Sequence, residues 1–127
     1  MSEQIATDLT ILVVDDFEDT RFVMRLDLEQ RGYHVIEAAD GKTAVALALR
    51  EHPDIILMDL SLPYIDGFEA AKLIRADEEM LNVVIIAVTA HMESNFRQGA
   101  KASGFDAYVT KPIDMDWLSE LISGLKS

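Results

Sequence analysis

The chain has 127 residues, enough for one domain with one core, and no cysteine, which removes disulfides, thiolate nucleophiles and cysteine metal sites. Twenty-three acidic residues against eleven basic ones leave a formal charge of −12, a surface that repels nucleic-acid phosphates and anionic membranes and favours cations or basic protein partners. No apolar run approaches the ~20 residues of a membrane span, and "MSEQIATD" lacks the basic-then-apolar order of a secretory leader, so a cytoplasmic location is expected.

Residues 1–8 read as a disordered extension ahead of a domain spanning 9–127. The first strand is expected at 9–14 ("LTILVV"), a short continuous apolar run of the kind found where helices cover both faces of a parallel sheet. Asp15 and Asp16 follow, and taken alone such a pair before a helix is usually a cap that compensates the helix dipole. The first helix should close at Gly32 in a left-handed stop. A second strand at 33–38 ("YHVIEA") leads to Asp40, placed to cap a helix carrying Ala44, Val45 and Ala48. The third strand, 54–58 ("DIILM"), runs directly into Asp59. Asp66 and Glu69 have capping-box spacing for a third helix in which Phe68, Ala71 and Ile74 share a face.

The fourth strand is expected at 83–88 ("VVIIAV"), followed by Thr89 and a helix near 92–102 that holds few large apolar residues and carries Gly99. The fifth strand, 106–109 ("DAYV"), is followed by Lys111. Asp114 is the expected N-cap of the last helix, with Ile113 and Leu118 as a hydrophobic staple, and Leu118, Leu121, Ile122 and Leu125 form one apolar stripe. Trp117 is assigned to core or interface packing. His34, His52 and His91 are scattered along the chain and read as surface or partly buried residues rather than ligands.

Five strands alternating with five helices describe a doubly wound α/β sheet, in which ligands bind beyond the carboxyl ends of the strands. At those ends stand Asp15, Asp16, Asp59, Thr89 and Lys111. Three carboxylates brought together repel one another, and a divalent cation removes the conflict. Oxygen-only ligands favour Mg²⁺ over zinc. The Thr89 hydroxyl and the Lys111 ammonium are groups that bind phosphoryl oxygens.

Four motifs, "VVDD" at 13–16, "MDLSLPYIDG" at 58–67, "VTA" at 88–90 and "GFDAYVTKPI" at 104–113, are similar to those of the receiver domain of two-component response regulators, a resemblance that runs from about residue 9 to 125. It implies a flavodoxin-like sheet of order 2-1-3-4-5. It also implies that Asp59 accepts a phosphoryl group from a phosphohistidine donor, either a histidine kinase or a histidine phosphotransfer protein. Asp15, Asp16, Asp59 and the backbone carbonyl of Ser61 would hold Mg²⁺, while Thr89 and Lys111 would bind the phosphoryl group. Tyr108 would rotate inward as Thr89 moves, the peptide before Pro112 would be cis, and Ser61 and His91 would tune how long the phosphoryl group survives.

Such a protein is a phosphoacceptor switch rather than a turnover enzyme, limited to self-catalysed phosphorylation and slow acyl-phosphate hydrolysis. Its output face would comprise the fourth helix, fifth strand and fifth helix. Asp114, Asp116 and Glu120 make that face acidic, with Trp117 and Tyr108 as anchors, which suits a basic protein partner. A free-standing receiver is expected, against the alternative of one excised from a hybrid histidine kinase or longer regulator. A Mg²⁺-dependent aspartyl phosphatase would carry its nucleophile after the first strand with a second acid two residues on, where this chain has Phe17. A flavodoxin-like electron carrier would need small hydroxyl and glycine residues where this chain has carboxylates.

Overall fold

Side chains along a strand alternate between its two faces, so a strand buried on both must be apolar throughout. That condition is met in the middle of the sheet. In the computed structural model, which describes residues 8–60, 67–89 and 104–126, β1 (Thr10–Val14), β3 (Ile55–Asp59) and β4 (Val84–Thr89) are buried almost without exception. The strands β2 (His34–Ala38) and β5 (Ala107–Thr110) mix polar and apolar residues and lie at the edges. All five are parallel, in the order β2-β1-β3-β4-β5, the sheet expected from the motifs.

The alternation splits the core in two. Leu12, Val14, Ile56, Met58, Ile85 and Ala87 point to the side covered by α2 (Gly41–Glu51) and α3 (Gly67–Arg75), where Ala44, Ala48, Ala70, Ala71 and Ile74 meet them. Ile11, Val13, Ile55, Leu57, Val84, Ile86 and Val88 point the other way, toward Met24 and Leu28 of α1 (Glu18–Gln30) and Leu118 and Ile122 of the C-terminal helix (Met115–Lys126). Small residues on α2 and α3 let those helices approach the sheet closely, while Phe68 and Phe105 meet edge to face at 6.0 Å beside them.

The expected caps are in place at both helices where they can be read. The Asp40 carboxylate accepts from the Thr43 amide at 2.7 Å, and Asp114 accepts from the Trp117 amide at 3.1 Å. Gly32, at φ 99°, takes the left-handed position after α1. Asp66 and the expected helix at 92–102 lie outside the described residues, within which there are four α-helices and a 3₁₀ turn at Glu78–Met80.

Three differences from the sequence reading have simple causes. Asp59 and Thr89 are the last residues of β3 and β4 rather than the residues after them, because a polar side chain ends an apolar run without ending the backbone ladder: Asp59 still pairs with Val88 and Thr89 with Thr110. The N-cap of α1 is Phe17, whose side chain cannot cap, so neither Asp15 nor Asp16 serves as one. Of the two roles expected for Trp117, core packing does not hold, since it is 49% exposed; the C-terminal helix buries Leu118 and Ile122, and Leu125 at the end of the stripe is also exposed.

At the amino ends of the strands, acidic side chains replace missing ladder partners. Asp54 accepts from the Thr10 amide at 2.9 Å, and Asp106 accepts from the Ile85 amide at 2.8 Å. Arg75, in the last turn of α3, donates to Asp106, to the Gly104 carbonyl and to the carbonyls of Met80 and Leu81, tying the end of that helix to the start of β5.

Candidate functional site

The acids at the opposite, carboxyl end of the sheet have a different environment. In the β1–β3 register Val13 stands beside Leu57 and Val14 beside Met58, so continuing both chains by one more residue brings Asp15 beside Asp59. Adjacent strands lie only about 4.8 Å apart, and two carboxylates in that relation cannot avoid each other. Asp15, Asp16 and Asp59 offer carboxylate oxygens that lie within 4.8 Å of one another; Asp15 and Asp59 are buried, and Asp16 is open to solvent.

Lys111 reaches this cluster from just past β5. Its Nζ lies 3.2 Å from Asp59 Oδ2 and 3.3 Å from Asp15 Oδ2, so one ammonium bridges two buried acids. Partial burial works to lower the lysine pKa, but the charges of Asp59 and then Asp15 outweigh it and hold the group above its ordinary value. Lys111 therefore stays protonated at any physiological pH. The Lys111–Pro112 peptide is cis, as the motif implied.

Asp15 is fixed from several directions. Its amide donates to the Ala38 carbonyl at 3.1 Å, its Oδ1 accepts from the Phe17 amide at 2.8 Å, and its carbonyl accepts from Arg21 Nη1 at 2.7 Å. The turn from β1 into α1 is thereby held to β2 on one side and to α1 on the other. Arg21 was not singled out by sequence, since a lone arginine on a helix reads as a solvated charge; its position six residues after Asp15 carries no pattern that would separate it from Arg25.

Thr89 is buried at the end of β4, and Tyr108 stands two register positions back on β5, beside Ala87. Thr89 and Tyr108 have the same strand parity, which puts both on the α2/α3 side of the sheet, where Tyr108 is partly buried against the core. Asp15, Asp59 and Lys111 continue the opposite parity, on the α1 side. The site thus sits astride the sheet edge. His34 and His52 are both exposed, as expected. Ser61 and His91 lie outside the described residues.

On the flank of the site, Thr20, Val23 and Met24 of α1 together with Lys111, Pro112 and Ile113 line an open apolar groove of about 420 Å³. Phe17 and Val23 are each 62% exposed, and Phe22 and Leu26 also face solvent, so one side of α1 is apolar without being covered.

Among known proteins, the family described as response regulator receiver domain matches residues 11–123. The polar-differentiation response regulator DivK of Brucella ovis is 35% identical over 113 residues, covering 89% of this chain and 92% of DivK. The chemotaxis protein CheY4 of Vibrio cholerae superposes with a TM-score of 0.89 at 28% identity over 94% of this chain and 99% of CheY4. The receiver domain of sensor histidine kinase PA1611 of Pseudomonas aeruginosa, at 35% identity and a TM-score of 0.87, covers 95% of this chain and 100% of its own, and carries a magnesium ion in its active-site cleft. No helix among the described residues is long and apolar enough to cross a membrane.

Proposed function

Because the chain belongs to the response regulator receiver domain family, we propose that it is a phosphoacceptor switch in which Asp59 takes a phosphoryl group from a phosphohistidine donor and the change is read by a protein partner. The observation that carries this reading is the pairing of two buried carboxylates, Asp15 and Asp59, with a single bridging ammonium from Lys111. A purely structural role would match charges evenly. Among the described residues, three carboxylates gather around one ammonium, an imbalance that favours a divalent cation.

The residues fit Mg²⁺: the donors are all oxygens, two of them are held by hydrogen bonds, and Asp16 is open to water, as suits an ion that keeps part of its hydration shell. Bound among Asp15, Asp16 and Asp59, the ion would offset charge on the attacking carboxylate and on the transferring group.

In the transfer, an Asp59 carboxylate oxygen forms the bond to phosphorus while the phosphorus–nitrogen bond of the donor breaks, and the imidazole nitrogen keeps the electron pair. Burial at the end of a fully packed strand limits the motion of Asp59, and positioning supplies much of the rate in such reactions. Lys111 can exchange its hydrogen bond with the Asp59 carboxylate for one with a phosphoryl oxygen at little cost in movement. Thr89 supplies a hydroxyl on the other side of the strand end. If Thr89 is drawn toward the phosphoryl group, space opens on the α2/α3 side of the sheet, where Tyr108 is two register positions away on the neighbouring strand. Tyr108 and the acidic start of the C-terminal helix, with Trp117 half exposed, would then present a different surface to a basic partner.

The test is intact-mass measurement after incubation with Mg²⁺ and a small acyl phosphate. The wild type should gain one phosphoryl group per chain, and Asp59→Asn should gain none. A mutant modified as fully as the wild type would move the acceptor elsewhere and refute the assignment.

A further inference from the structure

The geometry points to Arg21 as a positioning residue for the acid cluster, one that sets the direction of both Asp15 and Asp16 and so the affinity of the site for Mg²⁺; this rests on the function proposed above. Arg21 leaves α1 with its side chain only 14% exposed and makes two contacts at once. Nη1 donates to the Asp15 carbonyl at 2.7 Å, and Nε donates to Glu37 Oε1 on β2 at 3.2 Å.

The first contact acts on more than one residue. A peptide unit is planar, so fixing the carbonyl oxygen of Asp15 fixes the plane that contains the amide nitrogen and Cα of Asp16. Asp15 has its own anchors in the Phe17 amide and Lys111 Nζ. For Asp16, the exposed member of the cluster, the orientation of this one peptide decides where its carboxylate starts. An error of a few tenths of a radian there would turn an oxygen away from a cation that demands near-octahedral geometry.

The second contact fixes the guanidinium itself. Glu37 is bound by two arginines, its Oε1 by Arg21 and its Oε2 by Arg25 Nη1 at 2.9 Å. That single negative charge, shared between two arginines, offsets only part of the Arg21 charge, so a variant that keeps the charge and loses the fork isolates the geometric contribution. That separates the two contributions experimentally. Lysine preserves the charge but has no planar fork with which to span a carbonyl and a carboxylate. Arg25 shares Glu37 without touching Asp15, so Arg25→Ala loosens the same ion-pair network and leaves the Asp15 peptide held.

The experiment compares wild type, Arg21→Lys, Arg21→Gln and Arg25→Ala in three measurements: Mg²⁺ dissociation constant by calorimetric titration, unfolding midpoint without Mg²⁺, and rate of acyl-phosphate modification as a function of Mg²⁺ concentration. Removing an outer partner of a metal ligand typically weakens binding about 10- to 100-fold. Arg21→Lys should show a loss in that range, and its modification rate should return to the wild-type value once Mg²⁺ saturates. Arg25→Ala should match the wild type in Mg²⁺ affinity even where its midpoint falls as far as that of Arg21→Lys. Arg21→Gln serves as the second reading should the lysine variant fail to fold.

Mg²⁺ affinity unchanged in a folded Arg21 variant overturns the inference, as does an equal loss in Arg25→Ala or a rate defect that persists at saturating Mg²⁺. A wild type that takes up no Mg²⁺ at all refutes the proposed function itself, and this inference with it.

Discussion

Gly67 opens α3 directly against the end of β3. A Cβ built there would overlap the Asp59 carbonyl oxygen, stand 2.9 Å from Leu60 Cα and lie 3.1 Å from the Asp59 carbonyl carbon. All three atoms are backbone, so no side-chain rotation can relieve the contact; either the helix start or the strand end must shift. Overpacking of this kind costs about 1–3 kcal/mol, and a backbone clash belongs in the upper part of that range. For a domain of this size ~2–3 kcal/mol lowers the unfolding midpoint by about 10 °C. The same shift acts on Asp59, the proposed phosphoacceptor, so Gly67→Ala should also slow acyl-phosphate modification at saturating Mg²⁺. Gly124→Ala is the matched control: its Cβ would meet nothing within 4 Å, and an exposed helical alanine gains up to ~1 kcal/mol over glycine. Thermal unfolding and intact-mass kinetics on the two variants read both effects. A Gly67→Ala protein with the wild-type midpoint and rate would refute the claim that α3 is packed against Asp59 tightly enough to position it.

Asp40→Ala removes the cap of α2 and should cost ~1 kcal/mol at neutral pH. The hydrogen bond from Thr43 holds the Asp40 carboxyl below its ordinary 3.8, so the stabilisation is present above that value and lost as pH falls through the lower folded one; the difference in midpoint between variant and wild type should close in acid. Lys111 gives the opposite dependence, because its folded pKa is raised above 10.5 by Asp59 and Asp15 against the effect of burial. Its contribution is complete below about pH 10.5 and disappears as pH rises through the folded value, so the midpoints of Lys111→Met and wild type should run in parallel to that pH and then converge. Chelation of Mg²⁺ should abolish acyl-phosphate modification without unfolding the chain, as monitored by circular dichroism, because the two core layers do not pass through the acid cluster.

The sheet was legible because its signal is one of composition at short range. Residues 83–88 are all apolar and the strand can only be central, whereas "YHVIEA" keeps His34 and Glu37 and sits at an edge. The caps at Asp40 and Asp114 and the stop at Gly32 are equally local, each fixed by a side chain and an amide within three residues or by one backbone angle. The convergence of Asp15, Asp59, Thr89 and Lys111 was legible at second hand, through the rule that parallel strands in this kind of sheet point the same way. What composition could not express was direction. Whether Trp117 points inward or outward depends on the rotation of its helix, which is set by the burial of Leu118 and Ile122 in the core layer that holds Val13, Leu57 and Val109 rather than by the tryptophan.

Asp15 illustrates how far a local reading can mislead at a candidate site position. An acid pair two residues ahead of a helix satisfies every sequence criterion for a cap, and a capping acid would turn its carboxylate toward the second or third amide of α1. Asp15 instead accepts from the Phe17 amide, at the cap position itself, and leaves its other oxygen to Lys111, 96 residues away in sequence. The choice between those two geometries is made by β2 and α1 together: the Ala38 carbonyl holds the Asp15 amide, Arg21 holds its carbonyl, and Glu37 holds Arg21. Each of these contacts joins segments that are remote in sequence or separated by a turn, and none has a periodic signature. Strand ends place the acids in one neighbourhood at the resolution of a few ångströms. It takes this smaller network, built from residues that look like ordinary surface charges, to aim them.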